Sequence, residues 1–129
     1  HYAPSFILSI AFDIAESHKI MAASDMLLVP SRFEPAGLTQ LYAMAYGTIP
    51  VVRRTGGLAD SVKHGVTGFV FEPYTPEALL GMVSQAIATY KQNPAQWEKL
   101  MKNAMKEDFS WKQSAQKYIE IYKRLLQER

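Results

Sequence analysis

The stretch Ser31-Arg32-Phe33-Glu34-Pro35-Ala36-Gly37-Leu38-Thr39 sets one carboxylate, Glu34, between an apolar run of strand length and the start of a helical pattern. Open α/β sheets bind their ligands at turns of this kind, beyond the carboxyl ends of the strands. Backbone N–H groups at Gly37, Leu38 and Thr39 are unpaired at the helix start, carry roughly half a positive charge between them, and would accept a phosphate. Glu34, on a turn stiffened by Pro35, is badly placed for phosphate and suited to accept hydrogen bonds from neutral hydroxyls. A sugar carried on a diphosphate offers both groups.

The elements that must position these residues follow from periodicity. Met26-Leu27-Leu28-Val29 is apolar without alternation, which suits a parallel strand covered on both faces, and Pro30 ends it. Leu38, Leu41, Tyr42, Met44 and Ala45 have the three-and-four spacing of a helix with one buried stripe, running to Tyr46 and stopped by Gly47. Upstream, Phe6 to Ile10 is expected to be a strand and Ile14 to Ala23 a helix. Downstream, Ile49 to Val52 is the next buried strand, Gly56-Gly57 a turn before a short helix from Leu58, and Gly65 to Gly68 a turn into strand Phe69-Val70-Phe71. Pro76 opens a helix to about Lys91, and Pro94 to Lys106 and Trp111 to Gln127 are helices. Strand–helix alternation selects α/β with a parallel sheet, finished by a helical tail.

Three blocks carry a resemblance. Ser31 to Leu38, then Gln40-Leu41-Tyr42-Ala43-Met44, then Tyr46 through Pro50-Val51-Val52-Arg53-Arg54-Thr55-Gly56-Gly57-Leu58-Ala59-Asp60 resemble the glycogen and starch synthases, retaining glycosyltransferases of GT-B architecture. Ser17-His18-Lys19-Ile20 with Ala23-Ser24-Asp25, and Asp108-Phe109-Ser110-Trp111 with Ser114-Ala115 and Tyr118, extend it. It covers the chain from about Phe12 onward, and residues 1–11 carry none. The resemblance implies a partial doubly wound, Rossmann-like sheet: part of the C-terminal nucleotide-sugar-binding domain, with residues from about 108 to 129 as its closing helix. It implies transfer of glucose from ADP-glucose, or UDP-glucose, to the non-reducing end of an α-1,4-glucan with retention. Glu34 is then the catalytic-site acid beside the donor sugar; Gly37, Leu38, Thr39, Phe12, Gly56 and Gly57 are the nucleotide-sugar-binding positions. Related families carry a second glutamate where this chain has Tyr42, which favours the synthases. Ala36 stands where a cysteine is usual, and Ala45 where a basic or polar residue is common. Lys63 to Val70 is closer to the broader group that uses UDP- and GDP-sugars.

Composition narrows the classes. At 129 residues and 48% hydrophobic the chain can bury one core and is one domain at most, too short for the two domains of a GT-B enzyme, so the acceptor domain is expected to be absent. The formal charge of +2 does not argue for nucleic acid. Of 14 Lys and Arg and 12 Asp and Glu, eight and four fall from Lys99 onward, leaving six and eight before it: a solvated basic face, or one that meets an acidic partner domain. With no cysteine there is no disulfide framework, and no run approaches the roughly 18 apolar residues of a membrane span, so a soluble protein is expected; the resemblance implies a cytoplasmic site, or the plastid stroma. No Asp-x-Asp pair or His-rich set calls for a metal, and no cofactor is expected.

Several residues admit two roles. Gly56 and Gly57 either let a ligand approach the backbone or serve only the turn. Phe12 lies against a nucleotide base or in the core. Arg32, Arg53 and Arg54 make surface pairs or reach a phosphate. His18 and His64 have no carboxylate partner at a persuasive spacing and take core or turn roles, while Trp111, Tyr118 and Tyr122 are expected to pack. The isolated chain is expected to be inactive. Its alternatives are a fragment of another retaining transferase using a UDP- or GDP-sugar, or a non-catalytic α/β module that self-associates through a free sheet edge. A phosphoacceptor receiver-type module is weaker, since Asp13 and Asp25 do not cluster.

Overall fold

The computed structural model describes residues 6–128. Met26–Val29 forms β1, Ile49–Arg53 β2 and Phe69–Phe71 β3. Among the described residues they make a three-stranded parallel sheet in the order β1-β2-β3. Register pairs Met26 with Ile49 through Val29 with Val52, and Val51 with Phe69 through Arg53 with Phe71. The expected strand over Ile49–Val52 is therefore one residue longer, and Arg53 marks the end of the ladder. β2 is buried from Ile49 to Val52, as a central strand covered on both faces must be, whereas β1 lies on an edge with Leu28 48% exposed.

Helices form where the caps allow. α1 (Ile14–Ala23) starts at Asp13, whose carboxylate accepts from the Glu16 N–H at 2.9 Å. α2 (Thr39–Tyr46) ends at Gly47, left-handed at φ 82°, whose N–H donates to Met44 O at 3.0 Å while Thr48 N–H donates to Ala43 O at 2.9 Å. α3 spans Gly56–Ser61, so both glycines lie in its first turn and not ahead of it. α4 (Pro76–Gln92) and α5 (Pro94–Lys106) each place proline where no N–H is needed, behind the capping side chains of Thr75 and Asn93. α6 covers Trp111–Gln127. The Thr48 hydroxyl shares its proton between Met21 O and Ser24 O and ties the end of α1 to β2.

The core gathers Met44 of α2, Val51 of β2, Leu58 of α3, Phe69 of β3, and Trp97 and Leu100 of α5. Trp97 stacks on Phe69 at 6.3 Å and takes Tyr90 edge-on at 5.1 Å. The sheet is thus α/β and parallel, as the alternation of elements requires.

Two expectations fail, both at the ends of the described chain. Phe6 to Ile10 is not a strand: residues 6–12 are exposed and no ladder hydrogen bond joins them to the free edge of β1, and without a partner an extended segment gains nothing to offset its lost entropy. Nor do Trp111, Tyr118 and Tyr122 pack. α6 buries none of its residues, Trp111 is 85% exposed, and the two tyrosines meet each other at 6.5 Å along one apolar stripe that no described element covers. The contrast is measurable by denaturant unfolding. Leu100→Ala, deep beneath α5, should cost about 2–5 kcal/mol, and Leu125→Ala, on the bare stripe of α6, should change stability by no more than about 0.5 kcal/mol.

Candidate functional site

The connection from β1 to α2 carries Glu34, and its main chain is pinned by donors from three elements. The guanidinium of Arg53, at the end of β2, donates from Nε to Ser31 O at 2.8 Å and from Nη2 to Arg32 O. Gly57 N–H, at the start of α3, is shared by Glu34 O and Pro35 O at 3.2 Å each. From within α2, the side-chain amide of Gln40 donates to Ala36 O at 3.2 Å and Gly37 O at 3.0 Å. Gln40 is fully buried, with Ser61 Oγ a third neighbour of its Nε2 at 3.2 Å; its Oε1 has no partner among the described residues. Satisfied carbonyls make a loop rigid, because each is costly to leave unpaired away from water.

Sequence patterns do not find this arrangement. Gln40 reads as an ordinary polar residue on a helix; the available signal is its place three residues after Gly37, whose φ of 70° turns the loop back over the helix start. Arg53 makes neither a carboxylate pair nor an open cation. The surface pair belongs to its neighbour, Arg54 with Glu72 at 2.7 Å, while Arg32 is exposed.

On this frame the Glu34 carboxylate is half-buried, its Oε2 lies 3.4 Å from the Ser31 hydroxyl, and no ion pair among the described residues engages it. Beside it, α2 begins at Leu38 with no side-chain cap and no acid in its first turn, so nothing in the helix neutralises the positive end of its dipole. Gly37, Leu38 and Thr39 N–H groups make no hydrogen bond among the described residues. Two clefts flank the loop. One of about 430 Å³ lies between α1 and α2 with Ser17, His18, Leu27, Thr39 and Tyr42 in its walls. The other, about 340 Å³, is bounded by Pro30, Phe71, Tyr74 and Leu79. An acceptor-only carboxylate next to an uncapped helix start can bind a neutral polyol and an anion side by side.

The remaining positions sort plainly. Gly56 and Gly57 turn their Cα faces to the loop: a Cβ would fall 1.9 Å from Glu34 O at Gly56 and 2.0 Å from Ala36 O at Gly57, so these glycines let α3 press against the loop's main chain. Phe12 is 95% exposed, which overturns the core role and leaves its ring bare. His64 closes a turn, its Nδ1 accepting from Val70 N–H at 3.1 Å, and His18 sits between α1 and α2 with Nδ1 3.1 Å from the Tyr46 hydroxyl. No group of three potential metal ligands forms among the described residues.

The family model described as glycosyl transferases group 1 matches residues 6–107. Over 128 residues the chain is 50% identical to the glycogen synthase of Thermodesulfovibrio yellowstonii, an alignment that covers 99% of this chain and 26% of that relative. In three dimensions it is similar to the catalytic domain of starch synthase IV from Arabidopsis thaliana bound to ADP and acarbose, with a TM-score of 0.79, 40% identity, and coverage of 89% of this chain and 25% of that one. It is also similar to the Anabaena protein HepE in complex with UDP, at a TM-score of 0.59 and 28% identity over 67% of this chain and 23% of that one. The chain spans about a quarter of the length of these proteins. The family match takes in Phe6 to Ala11, part of the segment 1–11 whose motifs carry no resemblance.

Gly57→Ala tests the packing of the loop. With a Cβ 2.0 Å from Ala36 O, either α3 or the loop must move; the variant should lose about 1–3 kcal/mol in urea unfolding and shift the amide resonances of Glu34, Ala36 and Gly37.

Proposed function

We propose, from the premise that this chain belongs to the glycosyl transferases of group 1, that it forms part of the nucleotide-sugar-binding domain of a glycogen or starch synthase. The whole protein would transfer glucose from ADP-glucose, or UDP-glucose, to the non-reducing end of an α-1,4-glucan with retention. One observation carries the proposal: a half-buried carboxylate on a pinned loop, beside an uncapped helix start. It is supported by the 50% identity to a glycogen synthase across almost the whole chain and by a structural neighbour bound to ADP and acarbose.

Each residue then has a task. Glu34 accepts hydrogen bonds from the hydroxyls of the donor glucose. The N–H groups of Gly37, Leu38 and Thr39 meet the distal phosphate. Gly56 and Gly57 bring α3 close enough to hold the loop, and the exposed ring of Phe12 is free to lie against the base. In a front-face transfer the diphosphate departs as the acceptor hydroxyl arrives, and positive charge aimed at the leaving group lowers the barrier. A helix start with about half a unit of charge cannot offset a diphosphate alone. The 129-residue chain by itself should therefore bind nucleotide weakly and turn over no sugar, needing the acceptor-binding domain and further cations of the whole enzyme. Residues from about 108 onward, including α6, act as the closing helix of the domain. Such an enzyme would work in the cytoplasm, or in a plastid stroma.

A second reading keeps the fold and changes the donor: similarity to a protein in complex with UDP favours a UDP- or GDP-sugar transferase. A third, a self-associating module without catalysis, draws on the edge of β1 that is unpaired among the described residues and would show as mass that rises with concentration.

Titration with ADP, UDP and their glucose conjugates, followed by backbone amide shifts, separates these. Shifts centred on Gly37 to Thr39 with a preference for ADP-glucose are expected. Glu34→Gln should weaken ADP-glucose about 10- to 150-fold, the worth of a charged hydrogen bond, and leave ADP nearly untouched. Equal losses for both ligands, or robust turnover by the purified chain, would sink the proposal.

A further inference from the structure

We propose that Arg53 is a positioning residue: it sets the stance of the Glu34 carboxylate by gripping the main chain of the loop, and so governs recognition of the sugar half of the donor. The second clause rests on the donor reading above; the first does not.

All three guanidinium nitrogens are engaged, and none by a carboxylate. Nε donates to Ser31 O at 2.8 Å, Nη2 to Arg32 O, and Nη1 to Glu72 O at 3.5 Å, while the Tyr74 ring lies 5.4 Å from the guanidinium carbon. The nearby Glu72 carboxylate is taken by Arg54. Arg53 is thus a planar fork shared among carbonyl dipoles from the exits of β1 and β3, braced by an aromatic face. Its own backbone is held in register opposite Phe71, so the fork starts from a fixed point of the sheet.

What it grips is the residue that reaches Glu34. Ser31 offers its carbonyl to Arg53 and its hydroxyl, at 3.4 Å, to Glu34 Oε2. Arg32, the second residue gripped, leads through Phe33 into the acid. Moving Ser31 and Arg32 therefore moves the hydroxyl at Glu34 Oε2 and the chain that leads into the acid, whose far side is held by the Gly57 N–H, whereas the helix start is held separately by Gln40. Sugar and phosphate recognition are anchored by different donors, and Arg53 acts on the first. A lysine cannot replace it, since one ammonium on a flexible stem does not span two successive carbonyls in a fixed plane.

The test compares Arg53→Ala, Arg53→Lys and, as control, Arg54→Ala in the 129-residue chain. In Arg53→Ala the amide resonances of Ser31 to Glu34 should move, with those of the rest of β2 and of α5 little changed. Guanidinium at about 50 mM, far below unfolding concentrations, should partly restore the loop signals of Arg53→Ala. Arg53→Lys should leave them displaced, and Arg54→Ala should leave them in place. Affinity for ADP-glucose should fall toward that for ADP in Arg53→Ala, with ADP itself unaffected. Unmoved loop resonances would overturn the proposal, as would wild-type behaviour of Arg53→Lys, or changes spread evenly through β2 and α5 without guanidinium rescue. If the unsubstituted chain does not distinguish ADP-glucose from ADP, the donor reading fails; the loop resonances, which need no ligand, still decide the role of Arg53.

Discussion

A chain that leaves a strand and turns before entering a helix carries carbonyl oxygens that belong to neither element, and each needs a donor if the turn is to keep one shape. Between β1 and α2 that need is met at Ser31, Arg32, Glu34, Pro35, Ala36 and Gly37 by a guanidinium, one backbone N–H and one side-chain amide. These donors come from β2, α3 and α2, so the loop is fastened to three neighbours at once. The position of the acid depends on that fastening far more than on any contact the acid makes for itself, since its one described partner is a hydroxyl at 3.4 Å.

Parallel register makes the fastening possible. Pairing Val29 with Val52 ends β1 one residue before β2, so the last residue of β2, Arg53, stands where the chain has just left β1. Two residues beyond Thr55, the bare Cα of Gly57 lets α3 begin in contact with Ala36 O. Beneath them the buried run Ile49 to Val52 and the Phe69–Trp97 stack hold the sheet against α5. Energy gained by burying apolar surface in the core thereby holds a polar turn in place, because the donors have nowhere else to stand.

Much of this was legible in the sequence where the signal is local. The apolar run at Met26, the glycine stop at Gly47, the proline starts at Pro76 and Pro94 and the placement of Glu34 all follow from short-range rules. What was not legible depends on distant pairing. Arg53 and Ser31 are 22 residues apart, and no spacing rule tells an arginine that grips carbonyls from one that meets a carboxylate, as Arg54 does next door. Gln40 is hidden likewise, since burial of a polar side chain is decided by what crosses over it. Phe6 to Ile10 and α6 mislead for the converse reason: both have the composition to pack, and neither has a described surface to pack on.

Because the loop is held by its carbonyls, its shape is indifferent to several of its side chains. Arg32 and Phe33 are exposed; Arg32 contributes only its carbonyl to the fastening and Phe33 nothing, so their side chains can change without disturbing the geometry of Glu34. A turn built in this way is evolvable: the residues that would face different partners are free to drift, while the donors that fasten it sit on other elements, out of reach of the same substitutions.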